Sequence, residues 1–523
     1  MTLLYVPNTQ PENHYVTRRL LLAGLGFVFL AAFWSLWVQV IGLIGENGIV
    51  PSGYFLEQFA KERGIARLWE LPTWQWIIGT GDWTLHFLCA VGVLGAVAMM
   101  AGLAPTISAF VCWSAYLSLY AAAPHFLSFQ WDILLLEAGF LAFFLAPPFA
   151  AKLTKETPAP SVLVIWLFRF LIFKLMFSSG VVKLSGGDVT WRDLTALSYH
   201  YETTCLPAWT GWLMHQMPLW FHKACALGMF AIELIVPFGI FLGRLPRVIA
   251  AVAFVGLMAF IGLTGNYGFF NLLTIVLCIP LLCDDLWPAA LRARFAPDAA
   301  APPAWPEDVE ARGDAPAYNV WGTPWGERPW PRPFLIGLTV FVLLCNIVPM
   351  IGTFRPMGDA PGPLAWVHEI QSPFHIASRY GLFARMTTQR PEIIFEASMD
   401  GDVWHPYELP YKPGNPARRP GLYGLHMPRL DWLMWFAALG DPRRDWWTSK
   451  LAYRLLTAQP EVLNLFEQVP FKEKRPRYVR ALLYDYHFTD WSDESGNWWR
   501  RDLISDYLPA LELRPDGQVQ LVR

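Results

Sequence analysis

Apolar stretches close to the roughly 20 residues that an α-helix needs to cross a bilayer recur along this chain and limit what it can fold into. They fall at 20–42, 84–103, 106–123, 131–148, 162–182, 219–242, 247–264, 267–287 and 334–352. In lipid each backbone N–H and C=O must find its partner inside the segment, so such runs become helices. The expected fold is a polytopic α-helical membrane bundle of about nine spans with a C-terminal soluble α+β domain. Composition agrees: 54% of the residues are hydrophobic and 16% charged, against about 25% charged in a soluble domain. The 27 Trp suit membrane interfaces, and a net charge of −2 offers no field for nucleic acid.

Orientation follows from Lys and Arg near the span ends. Arg18 and Arg19 precede the first span, Lys152 and Lys155 follow the fourth, Arg244 and Arg247 separate the sixth and seventh, and Arg292 and Arg294 follow the eighth. With an odd span count all four sites share the cytoplasmic side, and loops 43–83 and 183–218 and the tail from 353 lie outside. Arg18-Arg19 ahead of a long apolar run reads as an uncleaved first span, and the final Gln-Leu-Val-Arg as no retrieval or lipidation signal. The expected domains are a helical bundle over 1–295, a Pro-rich cytoplasmic linker over 296–333, a last transmembrane helix at 334–352 and the outer domain over 353–523.

In the tail, PEIIFEAS (391–398) alternates as a strand and Asp400-Gly401 turns it, with a return at Val403 to Leu409. Pro428 to Leu439 and Trp446 to Thr457 read as short amphipathic helices, Tyr478 to Phe488 as a strand, and Asp490 onward as loop.

Charges inside apolar spans are costly, about 2.5–3.5 kcal/mol at mid-bilayer, and pair or face a cavity. Asp132 and Glu137 lie in the fourth span, Arg169, Lys174 and Lys183 in the fifth, Glu233 in the sixth. A rise of 1.5 Å per residue puts Glu137 about 9 Å and Lys174 about 13 Å from the outer ends of their helices, and Glu233 and Arg169 both at about 21 Å. The depths predict two pairs, Glu137 with Lys174 and Glu233 with Arg169, and leave Asp132 for Lys183 near the outer surface. Such pairs either hold the helices in register or line a polar cavity.

The loop after the fifth span, KLSGGDVTWRDLTALSYHYETTCLPAWTGW (183–212), is the other dense feature. Thr190 with Asp193 fits a capping box opening an interfacial helix through Trp191, Leu194, Ser198 and Tyr201. Asp188, Trp191, Arg192, Asp193, His200, Tyr201 and Glu202 are its candidate cavity residues, as membrane-surface polar groups or as a binding surface. Loop 43–83 offers a second surface helix around Tyr54, Phe55, Gln58 and Phe59. No HExxH, GxxxxGK[ST], GxSxG or CxxC occurs, and neither a metal nor a cofactor is expected. The seven Cys lie mostly in apolar runs and imply no disulfide framework.

The runs FLSFQWDILLLEAGFLAFFLAP (126–147), FRFLIFKLMFSSGVVKLSGGDVTWRDLTALSYHYETTCLPAW (168–209), PRLDWLMWFAALG (428–440), PFKEKRPRYVRALLYDYHFTD (470–490) and NWWRR (497–501) resemble the lipase maturation factor family. The resemblance implies an integral protein of the secretory membrane that helps lipases fold and assemble, with its tail on the lumenal side. In a bacterial chain, which the Ala, Pro, Arg and Trp content suggests, that is the inner membrane and the periplasm; in a eukaryote, the endoplasmic reticulum. On this reading the partners are membrane lipid and an exported lipase, and Trp432, Trp435, Trp498 and Trp499 are candidate client anchors, because Trp is favoured at binding hot spots. The alternative is a membrane enzyme or transporter of a small lipophilic molecule, with Lys174 or Lys183 as base and His200 as helper. The folding-factor reading, not an enzyme, is the one adopted.

Overall fold

The computed structural model describes residues 12–297, 328–354, 362–472, 474–514 and 517–522. Most of the Pro-rich linker lies outside the described residues. Within them, six helices are long and apolar enough to cross a membrane: α1 (Tyr15–Trp37), α3 (Asp82–Ala101), α6 (Val162–Ser185), α9 (Leu219–Phe241), α10 (Arg244–Thr264) and α12 (Arg332–Phe354). Three of the nine expected segments are shorter or more polar: α4 (Pro105–Ala122), α5 (Gln130–Ala142) and α11 (Phe270–Leu281). Proline explains their lengths. Pro124 follows α4, Pro147 and Pro148 follow α5, and Pro280 tightens the end of α11 into a 3₁₀ turn, because proline lacks the N–H that would extend a helix. The count of nine is therefore not reproduced, although all nine segments are helical.

Between the long helices lie shorter ones. Loop 43–83 contains α2 (Ser52–Arg63), which carries Tyr54, Phe55, Gln58 and Phe59. Loop 183–218 contains α7 (Ala196–Thr203) and α8 (Trp209–His215). The capping box expected at Thr190 does not form. Asp188 is the cap instead, its Oδ1 accepting from Thr190 N at 2.8 Å, and Leu194 at φ 59° ends that first turn before α7 starts.

Close approach sets the packing of α1 on α3. A Cβ on Gly92 would sit 2.3 Å from the Phe33 ring, and one on Gly26 2.9 Å from Ala96 O. Small residues let helix backbones meet where lipid supplies no hydrophobic drive. The gap admits an aromatic cluster of Phe29, Phe33 and Tyr116 at the centre of the bundle.

At one end of the bundle, Asp284 caps α1, accepting from Tyr15, Val16 and Thr17 N at 2.6–3.2 Å. Arg18 donates to Pro158 O, Arg19 to Met100 O, and Arg244 pairs with Asp285 at the same end.

The tail covers the opposite end. After α12 come α13 (Gly362–Gln371), β1 (Pro391–Ser398), β2 (His405–Pro406), α14 (Arg429–Ala438), α15 (Trp447–Leu456), β3 (Tyr478–Phe488), β4 (Trp499–Leu513) and β5 (Val519–Leu521). The strands form one antiparallel sheet in the order β2-β1-β3-β4-β5, with Ile393 opposite Leu483 and Phe488 opposite Trp499. The return strand is shorter than expected, and β4 replaces the loop expected beyond Asp490. Most of β4 is exposed, so its sequence lacks the apolar–polar alternation of a half-buried strand.

Helix α14 is the keel of the tail. Arg429 and Trp432 turn toward the bundle, while Leu430, Met434 and Ala437 turn toward β1. Being apolar on two faces, it is buried on nearly its whole circumference.

Candidate functional site

Asp132, Glu137, Arg169, Lys174, Lys183 and Glu233 are each paired, but only one of the depth-based pairs forms as expected. Glu137 on α5 bonds Lys174 on α6 through a short contact between buried side chains. Asn346 Oδ1 on α12 accepts from Lys174 Nζ at 2.5 Å, and Tyr380 OH donates to Glu137 Oε2 at 2.6 Å. Ser378 N also donates to that oxygen, at 3.2 Å. One carboxylate thus ties three helices to the first segment of the tail.

The other pairings differ. Glu233 meets Lys183, not Arg169, with Nζ 2.9 and 2.8 Å from its two oxygens. The reference level gives the reason: Arg169 and Lys183 lie about 21 Å apart along α6, so a Glu233 that meets Lys183 means that Leu219 is not level with Lys183 and that α9 starts well beyond it. The ring of Pro237 would clash with the carbonyl four residues back, that of Glu233. The chain relieves the clash by one turn of π-helix, Ala231–Ile235, which turns the Glu233 side chain locally by about one residue. Arg169 instead binds Glu12 at 3.0 Å and Pro280 O at 2.9 Å, and Arg247 binds the same Glu12. Depth arithmetic inside the bundle could not find Glu12, which precedes the first apolar run.

Asp132 does not meet Lys183. Its carboxylate receives both terminal nitrogens of Arg429, from α14, at 2.6 and 2.7 Å, and the Tyr116 hydroxyl at 2.6 Å. This is the bidentate fork for which a guanidinium is preorganised. All three side chains are fully buried.

A second joint lies at the outer loop. Arg390, ahead of β1, donates to Glu202 O and Cys205 O at 2.6 and 3.1 Å, and to Thr204 O. These are carbonyls at the C-terminus of α7, where a cation completes orphan acceptors. Glu202 in turn accepts from Phe488 N at 2.7 Å. Trp435 Nε1 donates to Thr203 O at 3.1 Å, and Asp188 accepts from Met386 N at 2.6 Å. Two of the surfaces expected to be free are therefore occupied by each other.

Enclosed between α5, α6, α9, α10, α11 and the tail is a cavity of about 430 Å³, within the range of small-molecule sites. Lys183, Glu233, Trp191, His200 and Tyr201 line it. Asp132, Glu137, Arg169, Lys174, Asp188 and Glu202 do not; they serve the joints above. Arg192 and Asp193 are exposed on the surface. Sequence reasoning missed Tyr267, whose hydroxyl is 3.0 Å from both His200 Nε2 and Thr204 Oγ1, and the apolar wall of Met229, Leu257 and Phe383. Burial, with Lys183 nearby, pushes His200 down to about 4, so the imidazole in this chain is neutral near pH 7.

The tail tryptophans assigned as client anchors are mostly interior. Trp432, Trp435 and Trp499 are 3%, 8% and 2% exposed, and Trp498 is half-buried against Trp212. Trp432 stacks edge-on against Trp131 of α5, so the aromatics that looked like free anchors seat the tail on the bundle. Trp491, 66% exposed, is accessible instead.

Two family models match the chain: a lipase maturation factor transmembrane domain over residues 16–289 and a lipase maturation factor C-terminal domain over residues 376–509. Human lipase maturation factor 2 is 35% identical over 95% of this chain and 82% of its own length. Human lipase maturation factor 1 is 34% identical over 96% and 89%. The chicken lipase maturation factor 2 is 34% identical over 95% and 81%. No solved structure matches the chain.

Proposed function

The chain belongs to the lipase maturation factor family, and from that premise we propose that it is a multi-pass membrane protein that assists the maturation of an exported lipase. The observation that carries this reading is the similarity of both parts, bundle and tail, to relatives that bear that name along most of their length. The Asp132–Arg429 fork adds a structural rationale. A tail locked to the bundle presents a client surface at a fixed height and angle above the membrane.

The client surface we assign is the exposed stretch of β4 at Leu503 and Ile504, 59% and 53% exposed, together with the exposed Trp491 in the connection from β3. Large apolar side chains left exposed on a domain that faces away from the membrane are candidate contacts for another protein. The tail is assigned to the periplasmic side of a bacterial inner membrane. The gathering of Arg18, Arg19, Arg244 and Arg247 at the opposite end supports this, since basic residues stay cytoplasmic.

Photo-crosslinking from positions 491, 503 and 504 in the intact membrane tests the reading. Crosslinks to an exported lipase in a crude membrane fraction are expected. Crosslinks only to lipid or to unrelated proteins, from a chain that is folded and inserted, would overturn it.

A further inference from the structure

The cavity beside the Lys183–Glu233 pair has an incomplete wall. Helices α9 and α10 pack closely at the end near Pro237, where a Cβ on Gly239 would sit 2.9 Å from Pro246 O. Toward their other ends they diverge: Leu219–Phe230 makes little contact with α10 and is roofed by α7. The lining side chains there, Met229, Leu257 and Phe260, are partly exposed, and they sit on two of the three long helices most open to lipid. The opening is therefore lateral, between two membrane helices.

Inside, the lining is mainly apolar; Lys183 is paired with Glu233, and Arg385, exposed at the rim, lies close to Asp188, so neither cation of the lining is left without a carboxylate. A charged head would be an uncompensated charge in an apolar enclosure. Polar capacity is nevertheless left over. Tyr201 OH, Asn271 Oδ1, and the indole N–H groups of Trp131 and Trp432 are buried on residues of this wall with no hydrogen-bond partner. Buried polar groups are almost always satisfied. Indole N–H only donates, phenol O–H donates or accepts, and the amide oxygen only accepts. The set asks for carbonyl oxygens together with a hydroxyl.

We infer that the chamber binds an uncharged glycerolipid, with ester carbonyls and a free hydroxyl facing this polar set and acyl chains leaving between α9 and α10. A cavity of about 430 Å³ holds the head and the first part of the chains, and the rest stays in the bilayer. The inference does not rest on the client-assisting role, and its test does not read lipase.

The test uses the full chain purified from its membrane into lipid discs. Extraction and native mass spectrometry should recover a mono- or diacylglycerol in stoichiometric amount. A photoreactive diacylglycerol should label α9 and α10, and unlabelled diacylglycerol should compete where phosphatidylglycerol does not. Met229→Trp with Leu257→Trp fills the opening and should abolish recovery and labelling. Gly256→Leu, at a helix position with open space around it, should retain both. Three results would overturn the assignment: an anionic phospholipid or an isoprenoid quinone in place of the glycerolipid, equal competition by phosphatidylglycerol, or undiminished binding in the filled variant. An equal melting temperature for the filled variant and the wild type distinguishes lost binding from lost folding. Should the filled variant melt lower, the competition between the two unlabelled lipids on wild type decides alone.

Discussion

Arg429 on the tail and Asp132 in the bundle, 297 positions apart in sequence, form a two-bond fork at 2.6 and 2.7 Å with neither side chain accessible to solvent. The consequence is asymmetric. Removing one partner strands a buried charge, which costs about 3–5 kcal/mol. Arg429→Ala should therefore loosen the tail. Limited proteolysis of the intact protein in detergent is expected to release a fragment near 353–390 that wild type withholds. Arg429→Lys, which keeps the charge but loses the fork, should fall on the side of alanine.

The Glu137–Lys174 pair behaves differently when both members change. Glu137→Gln or Lys174→Met alone leaves an unpaired ion and should cost several kcal/mol, on the order of 3–5. The double variant should cost about 1–3 kcal/mol less than the sum of the singles. A double-mutant cycle from thermal unfolding checks this; strict additivity would mean that the two side chains are not coupled.

Acid should destabilise the tail. Burial pushes His200, His375 and His426 down to about 4 from 6.5, with Lys183 adding to the effect on His200 and Arg429 to that on His426. A histidine held neutral in the folded state contributes stability above pH 6.5 that is lost as pH falls through about 4. Asp431 runs the other way. Burial raises it to about 6 despite N–H donation from Lys412 and Tyr411, so its contribution is present at low pH and lost as pH rises through about 6. The melting temperature should drop between pH 6.5 and 4, and His375→Phe, which keeps a ring against Tyr120, should flatten that drop.

Gly92 is a size sensor for the core. Because its Cβ would overlap the Phe33 ring, Gly92→Ala should cost about 1–3 kcal/mol by overpacking. Gly228→Ala, with nothing within 4 Å, should be neutral or gain up to about 1 kcal/mol of helix propensity. Phe33 packs on Tyr116, and Tyr116 bonds Asp132, so the Gly92 change should also lower the protease resistance of the tail joint.

Legibility in the sequence followed the range of the interaction. Glu137 and Lys174 lie on neighbouring helices, and helical rise alone aligned them. Asp132 could not be solved that way, because its partner lies in PRLDWLMW of the tail and no depth is defined for a residue outside the bundle. Arg169 failed for the mirror reason, with Glu12 ahead of the first apolar run. Glu233 meets Lys183 and not Arg169 because Leu219, the reference for its depth, is not level with the outer end of α6, and no sequence signal gives the relative height of two helices separated by a loop as long as 183–218. Strand β4 was missed because exposure on both faces erases period-two alternation. The family, by contrast, was readable from long local runs such as 168–209 that need no pairing to be recognised.

The central claim is that bundle and tail act as one unit in maturing a lipase. The most direct measurement is the specific activity of an exported lipase, per mass of lipase secreted, from cells lacking the chain and complemented with wild type, Arg429→Ala, or an Arg429→Asp and Asp132→Arg swap. The account predicts full specific activity with wild type, a marked loss with Arg429→Ala at equal membrane abundance, and partial recovery with the swap. Equal specific activity in cells with and without the chain would contradict it.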